Sequence, residues 1–141
     1  MNKTLLIPLL LLSTFLYAQN GEFYIGGEAV KEISLSVGVS SIDFGDVYRD
    51  SEVNSVPVDF YVNAEDGYDY TVDISNDDSS GVVQLSRTAN GGYTVDSINY
   101  IDTATGGEQR HEFYVDLDTG NISGDLSATI TVMVAYNDIA E

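Results

Sequence analysis

The chain reads as an all-β protein, a single antiparallel β-sandwich of about seven strands, on three observations. Residues 126–136 (LSATITVMVAY) alternate apolar and small or polar side chains over eleven positions. On a pleated strand that places Leu126, Ala128, Ile130, Val132, Val134 and Tyr136 on one face. Six further segments show the same period of two, separated by clusters of Gly, Asn and Asp. No segment beyond the first 18 residues has helical periodicity, and Val, Ile, Thr and Tyr, which suit pleated surfaces, dominate the alternating runs.

In chain order, residues 20–27 (NGEFYIGG) are flanked by glycine and carry Phe23 and Ile25 on one face, which reads as a terminal arm. Ile33, Leu35, Val37 and Val39 form the first strong strand, and the register shifts after Ser41 so that Ile42 and Phe44 take over the apolar face. Residues 45–54 are a polar connection. Val56 to Val62 and Tyr68 to Ile74 follow around the turn cluster 63–67 and read as a hairpin; Pro57 marks an edge or a strand start, since it donates nothing to a ladder. A short strand at 82–85, a less clear one at 93–101 and a third around Phe113, Val115 and Leu117 precede the 126–136 run.

Residues 1–18 have the form of a secretory signal peptide: Lys3, an apolar run at 5–12 and small Ala18 before the cut. The run is shorter than the roughly 20 residues of a spanning helix, so no membrane insertion is expected after cleavage. The expected organisation is a signal peptide at 1–18, an arm at 19–29 that extends as far as 37 if the first strand belongs to it, and one sandwich domain at 30–141. With no cysteine, the domain must be held by burial and strand pairing. Removal of Lys3 with the signal leaves four basic residues against 23 acidic ones, a net charge of −19. That balance argues against nucleic acid or an anionic membrane as partner, since both demand a basic footprint.

Catalytic chemistry finds little support, and no enzyme is expected. His111 is the only histidine, and no elbow-type nucleophile accompanies it for a Ser-His-Asp arrangement. Calcium is the one cofactor the residues suggest. Asp116, Asp118 and Asn121 resemble the opening of a calcium loop, but Gly120 stands one position early and Ser127 occupies the place of the closing glutamate.

Three features together resemble the bacterial fimbrial subunits of the chaperone–usher class. They are a signal peptide followed by a loose arm, the motif Ile42-Asp43-Phe44-Gly45-Asp46-Val47 closing the first strand region, and a Gly124-led C-terminal strand with Tyr136 near its end. The chain departs from that class in having no cysteine, where many such subunits carry a disulfide, and in the residues after Tyr136. The resemblance implies an immunoglobulin-like sandwich lacking its last strand. A periplasmic chaperone and usher would cover the gap first, and the arm of the next subunit would then fill it by strand addition. The arm candidates are Phe23, Ile25, Val30, Ile33, Leu35 and Val37. The groove edge would comprise Phe44, Leu126, Ala128, Ile130, Val132, Val134 and Tyr136. Such a protein is secreted through the periplasm to the cell surface and has itself as its main partner. The alternative left open by the residues is an autonomous, monomeric, secreted or surface-bound immunoglobulin-like binding or adhesion module whose first strand pairs in its own molecule.

Overall fold

A computed structural model describes residues 27 and 29–137; the proposed signal peptide, most of the arm, and with it Phe23 and Ile25, lie outside the described residues. Seven strands are present: β1 (Ser34–Val37), β2 (Val56–Asn63), β3 (Asp69–Asn76), β4 (Val83–Ser86), β5 (Ile98–Thr103), β6 (Glu108–Leu117) and β7 (Ile130–Tyr136), with one short 3-10 turn at Thr119–Asn121. They form two antiparallel sheets, ordered β1-β2-β6-β4 and β5-β3-β7. The fold is the expected all-β antiparallel sandwich. Among the described residues no helix is long and apolar enough to cross a membrane.

Alternation supplies the core. Val58, Phe60 and Val62 of β2, Tyr70, Val72 and Ile74 of β3, and Phe113, Val115 and Leu117 of β6 all turn inward and are buried. Burying one such side chain is worth about 1.5–3 kcal/mol, which is how a chain without disulfides offsets its conformational entropy.

Three strand expectations are corrected. β2 and β3 do not pair as a hairpin: β2 lies between β1 and β6, and β3 between β5 and β7. The connection is an arch from one sheet to the other, turned at buried Ala64 and at Gly67, whose φ is +84°. A hairpin and an arch share one alternation pattern, so the residues alone do not separate them. The first strand is four residues long and ends at Val37, followed by Gly38, whose N–H donates to Asp59 O at 2.9 Å; a Cβ there would stand 3.2 Å from that oxygen. The last strand begins at Ile130, opposite Asn76 where β3 ends, because residues 126–128 find no neighbour to pair with. Pro57 lies at the start of β2, beyond the reach of β1, whose pairing stops at Phe60.

The strand directions define two poles. Asn63, the 64–68 turn and Tyr136 lie at one, called here the arm pole. Val56, Leu117 and Ile130 lie at the other, the groove pole. The loop after β3 sits at the groove pole and is organised by one carboxylate. Asp78 accepts hydrogen bonds from the amides of Ser80, Val82 and Val83 and from the Ser80 hydroxyl, at 2.7–3.1 Å. These donors, led by the Val83 amide, hold its carboxyl down at about 2. Asp78→Ala is expected to cost about 1–2 kcal/mol in urea denaturation at pH 7, because it strands the amides of two buried valines. That contribution is present above the ordinary carboxylate range and fades as pH falls through about 2. An unchanged denaturation midpoint would show the loop to be held by other contacts.

Candidate strand-acceptor groove

Among the described residues the two sheets do not close along the β1–β7 side. Among the described residues β7 pairs with β3 alone, so its other edge has no strand beside it. Facing it, residues 39–47 run without any backbone–backbone hydrogen bond to the described residues, and the same is true of residues 124–128. Buried backbone groups are nearly always paired, and an unpaired sheet edge is a template for another strand.

Between these segments lies a groove of about 950 Å³. Its floor is formed by the buried core residues Val58, Val83, Phe113, Val115 and Leu117. Val37, Val39, Ile42 and Phe44 form one wall; Leu126, Ala128, Ile130 and Val132 form the other. Val37 and Val39 are 42% and 41% exposed, although an alternating pattern would place Val37 and Val39 on an apolar face. An extended segment laid here would find apolar core residues below and, on both sides, peptide groups with the polar side chains of Ser40, Ser41, Asp43, Ser127 and Thr129. That is the requirement for recognition by strand addition.

The structure divides the residues expected at this site. Phe44, Leu126, Ala128, Ile130 and Val132 line the groove, whereas Val134 and Tyr136 lie beyond it toward the arm pole. Of the arm candidates, Ile33 and Leu35 pack against their own core, Leu35 on a strand paired with β2 of the same molecule. Val37 ends that strand and lines the groove, and Val30 is half-buried just ahead of it. The floor residues were readable as inward-facing, but nothing local marks them as bordering an open flank.

Among the described residues Lys31 is the first fastened from several sides. Its N–H donates to Glu65 Oε1 at 2.9 Å and its Nζ to Gly106 O at 2.8 Å. Its carbonyl accepts from the Tyr136 hydroxyl at 2.6 Å, and that hydroxyl also accepts from the Glu65 N–H at 2.7 Å. The arm is therefore rooted at the arm pole, at the opposite end from the groove.

The other polar cluster is internal. His111 is 7% exposed and bridges the sheets: Tyr70 OH lies 2.8 Å from Nε2 and Tyr100 OH 2.8 Å from Nδ1. Its ring stacks on Phe60 at 4.9 Å. Both ring nitrogens are engaged by tyrosines, and no serine hydroxyl adjoins either one. Burial lowers the His111 pKa, with Arg87 adding to the effect and Asp102, 3.7 Å away, opposing it. Burial likewise raises the Tyr70 and Tyr100 hydroxyls.

The calcium candidates are spent on local bonds. Asp118 accepts from the Gly120 N–H and from Asn121 Nδ2, and Asp116 Oδ1 accepts from the Leu117 N–H. Among the described residues no three His, Asp or Glu side chains are grouped to hold a metal ion.

Compared with known proteins, the chain matches no family model, no curated protein and no solved structure.

Proposed function

We propose that this chain is the structural subunit of a bacterial surface fibre, secreted through the periplasm, that polymerises when the N-terminal arm of one copy enters the groove of the next. The observation that carries the reading is the pairing of two unfilled things at opposite poles. A groove with an apolar floor and a mixed polar rim lies between segments that are unpaired among the described residues, and the chain that follows the arm carrying Phe23 and Ile25 is fastened at Lys31 at the far end. Because Lys31 is fastened in its own molecule, the donated segment is residues 19–30, and Ile33 and Leu35 remain at home. A donor entering from the arm pole would collide with the root of the acceptor's own arm. Entry from the groove pole avoids this, runs antiparallel to β7, and repeats head to tail as an open filament.

The test compares the chain beginning at Gln19 with one beginning at Val30, by size-exclusion chromatography with light scattering, before and after boiling in detergent. The longer chain is expected to form a ladder of multiples that survives detergent. The shorter one is expected to remain monomeric and to bind a synthetic peptide of residues 20–30. A longer chain that stays monomeric, with a shorter one that ignores the peptide, would favour the autonomous surface module. One observation favours that second reading: β1 already completes its sheet in its own molecule.

A further inference from the structure

Four basic residues lie beyond the proposed signal peptide, and three are occupied. Lys31 Nζ is bonded to Gly106 O, Arg87 stacks on the Tyr100 ring at 3.6 Å, and Arg110 pairs with Asp59 and Glu112 at 2.8 and 3.0 Å. Arg49 differs. Like Lys31 and Arg87 it has no carboxylate within ion-pair distance among the described residues, but its guanidinium makes only one long bond, 3.4 Å, to Gly120 O. It is exposed, and it sits next to Tyr48, itself 76% exposed on the rim of the groove.

The loop that presents it is held in place. The Ser51 N–H and hydroxyl both donate to Tyr48 O, the Asp50 N–H donates to Thr119 O, and the Thr119 hydroxyl donates to Ser51 O. Among the described residues, the least engaged basic side chain of this strongly acidic domain is thus displayed at the mouth of the groove. The arm pole carries the complement. Asp66 and Glu108 flank the Gly106 loop on which the root of the arm is fastened, and their carboxylates make no hydrogen bond or ion pair among the described residues.

We infer that Arg49 is the docking residue for a second copy of this chain, receiving the Asp66 and Glu108 pole of the incoming subunit. The inference rests on the proposed strand exchange. When an arm enters from the groove pole, its Lys31 arrives at that pole, and the arm pole of the donor abuts the Tyr48–Arg49 rim. Two copies that each carry a net −19 repel. A local pair of opposite sign selects the one approach in which the arm meets the groove, and acts on encounter rate more than on final stability.

The experiment follows assembly of the full mature chain by light scattering at about 20 mM and 500 mM NaCl. Arg49→Glu is expected to slow assembly about tenfold or more at low salt, with the difference largely lost at high salt. The double variant Arg49→Glu with Asp66→Arg should recover most of the wild-type rate, because the joint is restored with its signs exchanged. The peptide of residues 20–30 carries neither Asp66 nor Glu108, so Arg49→Glu should bind it as the wild type does. Equal rates for wild type and Arg49→Glu, or a slowing that Asp66→Arg leaves uncorrected, would overturn the docking role while leaving strand exchange intact. Reduced peptide binding would show damage to the groove and overturn it too. A wild-type chain that never assembles would remove the strand-exchange reading beneath it.

Discussion

Replacing Phe60 with alanine is expected to remove about 3–5 kcal/mol of folding stability. Phe60 is fully buried at the centre of β2, stacked on His111 and tilted against Phe113 at 6.1 Å between ring centres. Alanine would leave a cavity between the two sheets and remove one face of the His111 ring contact. A domain of this size holds about 5–15 kcal/mol in total, and no disulfide limits its unfolded state. The variant should therefore be close to unfolding at room temperature, seen as a urea midpoint shifted to low concentration. Phe60→Leu keeps most of the volume and should lose about 1.5 kcal/mol or less. A loss below about 1 kcal/mol for the alanine variant would mean that this part of the core collapses around the gap.

The second large effect concerns His111. His111→Ala is expected to cost about 2–4 kcal/mol, because it removes the stacked ring, takes the His111 partner from the Tyr100 hydroxyl, and leaves the Tyr70 hydroxyl only its longer bond, 3.3 Å, to Gln109 Oε1. His111→Phe isolates the polar part: the ring is kept, the bonds are not, and the expected cost is about 1–3 kcal/mol. The network also fixes a pH dependence. The unfolded imidazole takes up a proton as pH falls past its ordinary 6.5, whereas the folded ring, with its pKa lowered by burial, resists. Unfolding then binds a proton, so wild-type stability falls as pH drops below 6.5 and levels off only when the folded ring is itself protonated. Arg87 widens that window and Asp102 narrows it. In His111→Phe the slope between pH 6.5 and 5 should flatten. A slope equal to the wild type's would assign it to the carboxylates instead.

Much of the sandwich was legible in the residues. The inward sets of β2, β3 and β6 are alternating apolar positions read from the sequence, and Val58, Phe60, Val62, Tyr70, Val72, Ile74, Phe113, Val115 and Leu117 are buried, while Val56 at the start of β2 is half-buried. His111 was not legible as core. It shares the inward face of β6 with Phe113 and Val115, a placement that alternation allowed, but the tyrosines that accept it come from β3 and β5, 41 and 11 residues away. The groove was half legible. Alternation identified the apolar faces of residues 33–44 and 126–136, yet the same pattern suits a strand paired along its whole length.

The sequence by itself determined the fold class, the inward faces, the absence of cysteine and the strongly acidic charge, because period, composition and charge are local properties of the chain. Only the tertiary structure decided that β2 and β3 face each other across the core, that residues 39–47 and 124–128 have no backbone partner among the described residues, and that Lys31 lies at the opposite pole from the groove. The physical reason is that alternation says which side of a strand meets the core, whereas strand order depends on hydrogen bonds between segments far apart in the chain.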